Sequence, residues 1–137
     1  DRLRILKPTA SFDLNLSADH DRLEADPLHL TNILDNLIDN AIKYSPDGPL
    51  LNIRTFNTRG IVHISIQDSG IGIEREHHKK IFNNFYRIPT GNLQSVKGFG
   101  LGLHYVKLMT RAHKGDIKLV SQVGVGSEFI ISFPYLI

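Results

Sequence analysis

The 137-residue sequence contains no cysteine, which excludes a disulfide framework, a cysteine-held zinc and a thiol nucleophile. No apolar run approaches the ~18–20 residues that a membrane span requires, and no signal peptide opens the chain. Neither sign of charge dominates: 16 Lys and Arg stand against 14 Asp and Glu, a net +2 too even to suggest nucleic-acid binding. Internal repeats and low-complexity tracts are missing as well. What is present is 41% apolar and 22% charged residues, the composition of a soluble globular protein. The length suits one domain, residues 1–137. No initiating methionine precedes Asp1–Ala10, so the chain is expected to be part of something longer.

Periodicity sets out the elements. Ser11–Ser17 alternates apolar and polar residues, as a half-buried strand does. Asp26–Ser45 is the clearest helix, with Asp26 able to cap it and Pro27 at the first helical position. Leu30, Ile33, Leu34, Leu37, Ile38, Ala41 and Ile42 recur at helical spacing and mark its core face, and Pro46-Asp47-Gly48-Pro49 stops it. Leu50–Phe56 and Ile61–Gln67 read as a hairpin about Asn57–Gly60. Glu74–Asn83 reads as a short helix, Ile88–Gly98 as an aperiodic mobile loop, and Gly102–His113 as a further helix. Asp116–Ser121 and Ser127–Phe133 close the chain as a second strand pair about Gln122–Gly126. This order predicts an α/β sandwich, a mixed and largely antiparallel sheet with about three helices on one face.

Three groups of residues look wrong for a purely structural role. Asn32, Asn36 and Asn40 stand on the long helix although Asn is a poor interior helix former. At ~100° per residue, Asn36, Asn40 and Lys43 fall within about 60° of one another beside the apolar face. An Asn carbonyl is a neutral oxygen ligand suited to Mg²⁺, and Lys43 can meet a phosphate; a solvated Asn-rich face would look the same. Asp68-Ser69-Gly70-Ile71-Gly72-Ile73 follows a strand. Its Asp can accept from an exocyclic amine such as that of adenine and would oppose the carbonyl of guanine, although D-x-G also marks ordinary turns. Lys97-Gly98-Phe99-Gly100-Leu101-Gly102-Leu103 opens a helix, and alternate glycines free backbone N–H groups to cradle phosphates or to act as a hinge. It is neither a P-loop nor a dinucleotide fingerprint. The seven histidines fit no zinc spacing: His77 and His78 are expected in solvent, and His104 and His113 in structural roles. No Ser/His/Asp pattern suggests a hydrolase triad.

Taken in order, Asn36-Leu-Ile-Asp-Asn40-Ala-Ile-Lys43-Tyr44-Ser45, Asp68-x-Gly70-x-Gly72-Ile73, Ile81-Phe82-x-x-Phe85-Tyr86-Arg87, Gly98-x-Gly100-Leu101-Gly102-Leu103 and Gly124-x-Gly126-Ser127-x-Phe129 resemble one family. They are similar to the N, G1, F, G2 and third glycine boxes of the catalytic, ATP-binding domain of sensor histidine kinases. The resemblance runs from about Ser11 to Pro134. It implies the Bergerat fold, shared with Hsp90, the MutL proteins and type II topoisomerases, and an ATP lid.

The resemblance also implies roles. Asn36 and Asn40 would hold Mg²⁺ and the phosphates of ATP, Lys43 would add a phosphate contact, and Tyr44 would line the pocket. Asp68 would take the adenine amine, with Gly70 and Gly72 giving room for the base and Ile73 also binding the nucleotide. Phe82 and Phe85 would anchor the lid, and Arg87 would reach the γ-phosphate. Lys97, Gly98, Gly100, Leu101, Gly102 and Leu103 would form the hinge and phosphate cradle, and Ser127 would sit near the adenine. One departure is His113-Lys114-Gly115, where two glycines are usual. In the superfamily's ATPases a glutamate that activates water stands at the position of Asn36, which cannot take a proton. Asn36 therefore favours a kinase over an ATPase. The implied acceptor is a histidine on a helical dimerisation domain, and none of the seven histidines here has its expected neighbours. A response-regulator receiver domain would take the phosphoryl group next. A cytoplasmic domain without direct membrane contact, in a membrane-anchored whole, completes the expectation.

Overall fold

The computed structural model describes residues 11–19, 23–45, 50–83 and 102–135. Among the described residues, five strands form one sheet in the order β1-β2-β3-β5-β4. They are β1 (Ser11–Leu16), β2 (Leu50–Thr58), β3 (Ile61–Asp68), β4 (Asp116–Gln122) and β5 (Gly126–Pro134). β1 runs parallel to β2, and every other pair is antiparallel. The mixed, largely antiparallel sheet is the one expected.

Helix α1 (Pro27–Lys43) starts where Asp26 Oδ1 accepts the N–H groups of Leu28 at 2.8 Å and His29 at 3.4 Å. Those donors have no partner inside the helix, so the cap stabilises its first turn by about 1 kcal/mol. Ile33, Leu37, Ile38 and Ala41 turn inward. Helix α2 (Gly102–Ala112) buries Val106 and Thr110 and packs beside α1. The core lies between these helices and one face of the sheet, where Leu51, Ile53, Ile66, Phe129 and Ile131 are buried. Register explains this stacking, since Ile53, Ile66, Phe129 and Leu119 form one row across four strands.

The opposite face of the sheet is polar. Arg54 pairs with Glu128 at 3.3 Å and lies over Phe56, whose ring stacks on His63. The His63 nitrogens bond the hydroxyls of Ser132 and Thr58, each at 2.7 Å.

Two expectations are corrected here. Glu74–Asn83 is not a helix but two 3₁₀ turns, Arg75–His77 and Lys80–Phe82. The segment has no side-chain cap and buries only the adjacent Ile81 and Phe82, so it lacks the stripe that sustains an α-helix. His78 is not a solvated histidine, because its Nε2 donates to the Ile73 carbonyl at 2.8 Å. His104 and His113 are structural as expected, with Nδ1 atoms on the carbonyls of Phe82 and Met109. The predicted mobile loop Ile88–Gly98 lies outside the described residues.

Candidate functional site

At one end of the sheet, Asp68 closes β3 opposite Leu51 on one side and Ser127 on the other, and Ser127 stands opposite Ser121. Asp68 is only 5% exposed. Its Oδ1 accepts the backbone N–H of Gly70 at 2.9 Å and of Ser127 at 3.3 Å. Its Oδ2 has no partner among the described residues, so one face of a fixed carboxylate stays open. Burial raises its pKa above the usual value of 3.8, and the two N–H groups partly oppose that rise. A carboxylate at a strand end, oriented by two backbone N–H groups on one oxygen, can accept an N–H donor on the other.

The turn that follows is pinned on both sides. Ile71 N–H donates to the Tyr44 carbonyl at 3.1 Å, and the Ile71 carbonyl accepts from Gly124 N–H at 2.9 Å. Ile73 N–H donates to Ser121 Oγ at 2.8 Å. A side chain at Gly70 would overlap the Tyr44 carbonyl, and one at Gly72 (φ +76°) would overlap the carbonyl of Gln122. Both glycines thus let the turn lie against the end of α1 and the β4–β5 turn, because neighbouring backbone fills the space a Cβ would take. The buried hydroxyl of Ser45, which has no hydrogen-bond partner among the described residues, lies beside Gly70.

Helix α1 carries the second group of candidate residues. The Asn36 amide nitrogen donates to the Asn32 carbonyl at 2.8 Å, which assigns its Oδ1 as the available acceptor. That oxygen faces the first residue of α2: a Cβ on Gly102 would sit 2.9 Å from it. Asn36 and Asn40 are half-buried one turn apart, and Lys43 is exposed in the last turn. Neutral amide oxygens at the edge of a helix suit a hard divalent cation, so the donor set fits Mg²⁺.

The structure thus joins Tyr44, Asp68, Gly70, Gly72, Ile73 and Ser127 in one bonded unit and sets Asn36 against Gly102. Leu103 packs on the core beside Val106. Phe82 is buried edge-on to Phe129. Phe85, Arg87, Lys97, Gly98, Gly100 and Leu101 lie outside the described residues. Ser121 was missed by sequence reasoning. Its signal was present: Ile117 and Leu119 set an inward alternation that calls for an apolar residue at 121.

The chain matches the family of histidine kinase-, DNA gyrase B- and HSP90-like ATPases over residues 25–137. It belongs to that family. It is 49% identical over 136 residues to the sensor protein RprX of Bacteroides fragilis, covering 98% of this chain and 26% of RprX. Its fold superposes on the mycobacterial sensor histidine kinase MprB with a TM-score of 0.82 at 26% identity, covering 98% of this chain and 87% of that one. Full-length ShkA in complex with AMPPNP gives a TM-score of 0.82 at 25% identity, covering 96% of this chain and 28% of ShkA. The fold is that of histidine kinase catalytic domains, the Bergerat-like sandwich. The chain spans only about a quarter of the length of RprX. Among the described residues no helix is long and apolar enough to cross a membrane.

Proposed function

We propose that residues 1–137 form the catalytic domain of a sensor histidine kinase, binding Mg-ATP and passing its γ-phosphoryl group to a histidine on an adjoining helical dimerisation domain. The observation that carries this reading is Asp68, buried with one oxygen held by backbone and the other open. An ionised Oδ2 accepts from the exocyclic amine of adenine, whereas guanine would oppose it with a carbonyl. Ser127 lies beside the base, and Tyr44 lines the pocket where its carbonyl already holds the turn. Asn36 and Asn40 would hold Mg²⁺, which would neutralise phosphate charge during transfer. Lys43 contacts a phosphate, and Arg87 reaches the γ-phosphate. Lys97, Gly98, Gly100, Leu101, Gly102 and Leu103 supply the lid hinge and cradle.

Asn36 decides between transfer and hydrolysis. Its amide cannot take a proton from water, so the γ-phosphoryl is held without a base beside it. A neutral imidazole needs no such base, because one ring nitrogen already carries a lone pair. The new N–P bond forms as the bond from the γ-phosphorus to the bridging oxygen breaks, and ADP leaves. A response-regulator receiver domain, cytoplasmic like the kinase, then takes the phosphoryl group on an aspartate.

The test joins this chain to a helical histidine-bearing domain and follows γ-labelled ATP. Label bound as acid-labile, alkali-stable phosphate on the helical domain is the expected result. Free phosphate released rapidly by the isolated chain, with no label transferred, would replace this reading with an ATPase.

A further inference from the structure

We propose that Ser121 is a positioning residue of the purine pocket: its hydroxyl ties the turn after Asp68 to the start of β5 and so fixes the direction of Asp68 Oδ2. The inference rests on the reading of Asp68 as the group that recognises the base. Ser121 stands on the inward face of β4, in line with Ile117 and Leu119, where an apolar side chain would add to the core. Its hydroxyl instead meets three partners from two other segments. It accepts the Ile73 N–H at 2.8 Å, reaches the Gly126 carbonyl at 3.0 Å, and lies 2.7 Å from Ser127 Oγ.

The connection to Asp68 is short. Gly70 N–H, on the turn that Ser121 anchors at Ile73, bonds Asp68 Oδ1. Ser127 N–H, on the strand that Ser121 anchors at Gly126 and Ser127, bonds the same oxygen. Both donors that orient the carboxylate therefore belong to segments held by one hydroxyl. Gly126 (φ +136°) allows no slack, since a side chain there would overlap the Asp68 carbonyl. Without the Ser121 hydroxyl, the Ile73 N–H loses its acceptor and the Ser127 hydroxyl is free to rotate. The Asp68 carboxylate then swings, and the distinction between an amine and a carbonyl on the base weakens.

Calorimetric titration of this chain with ADP and with GDP, for wild type, Ser121→Ala, Ser121→Thr and Asp68→Asn, tests this. Ser121→Ala should weaken ADP about tenfold, reduce the preference for ADP over GDP by a similar factor, and move the acid limit of ADP binding to higher pH. The last shift follows because a looser Ser127 N–H stabilises the Asp68 charge less. Ser121→Thr keeps the hydroxyl and should restore the preference. A residue that only supported the fold would lower the melting temperature and leave the base preference and the acid limit unmoved; that result overturns the inference. If Asp68→Asn loses ADP while Ser121→Ala does not, only the role of Ser121 falls. If Asp68→Asn binds ADP as wild type does, the reading of Asp68 falls and takes the role of Ser121 with it.

Discussion

Replacing Asp68 by Asn should separate the proposed recognition from folding, because the two carboxylate oxygens are assigned different tasks. Oδ1 accepts from Gly70 and Ser127, and an Asn side chain can keep its carbonyl there. The amide nitrogen must then occupy the place of Oδ2, and its hydrogens face those of the adenine amine. A hydrogen bond to a charged group contributes roughly 1.5–3 kcal/mol, so ADP affinity should fall roughly ten- to hundredfold. Stability should not fall with it. Burial raises the Asp68 pKa, so its contribution to stability is fully present below the unfolded value of 3.8 and is lost as pH rises through the higher folded value. The amide of the variant has no charge to bury, and its advantage over wild type should grow through that same window. Binding has the opposite dependence: wild type should lose ADP as acid protonates Asp68, at a pH higher than an exposed aspartate would require, and the variant should show no such limb. Calorimetry between pH 4 and pH 7, roughly spanning the carboxylate and histidine ranges, together with thermal melts, reads both. Undiminished ADP affinity in the variant would refute the assignment of Oδ2, and an unfolded variant would refute the assignment of Oδ1.

Lys114 takes the left-handed conformation at φ +65° after α2, so Lys114→Gly should stabilise the domain by about 1 kcal/mol, read as a rise of about 2–4 °C in Tm. Gly126→Ala must move the strand away from the Asp68 carbonyl, and it should cost about 2 kcal/mol or more in urea unfolding as well as ADP binding. Leu37→Ala removes a fully buried side chain from α1 and should cost about 2–5 kcal/mol by the same assay. Burial lowers the His63 pKa, so its contribution is fully present above the unfolded value of 6.5 and is lost as pH falls through the folded value. Melts of His63→Gln should therefore lack that part of the acid slope, and an unchanged slope would show that His63 is not its source.

Much of the fold was legible because its elements obey a single period. The stripe on α1 and the alternation in β2 to β5 announce which faces are buried, and the cap at Asp26 announces where the helix begins. Glu74–Asn83 misled because only Ile81 and Phe82 of that segment had a core to enter. His78 misled because its carbonyl partner, on Ile73, comes near only when the turn folds back over the 3₁₀ segment. Asp68, Asn36 and Ser127 could be picked out as candidates by the order of their motifs. The tasks of Gly70 and Gly72 could not be, since the atoms that exclude a side chain belong to Tyr44 and Gln122, 26 and 50 residues away in sequence.

The placement of the site follows from the sheet order. β3 is central, with β2 on one side and β5 on the other, so the residue that ends it is flanked by backbone on both sides. An edge strand would leave a terminal carboxylate in water, where its charge is well solvated and its direction loose. Here Asp68 is desolvated enough to raise its pKa, and its neighbour Ser127 contributes the very N–H that orients it. Register then places Ser121 next in the same row, on the inward face, where its hydroxyl can reach the turn that leaves Asp68. The proposed recognition of a base amine would thus depend on three adjacent strands holding one register. A one-residue slip of β5 would turn Ser127 to the outer face and put Glu128 beside Asp68, setting two carboxylates against each other. Any substitution that loosens the β3–β5 pairing should accordingly weaken nucleotide binding before it unfolds the domain.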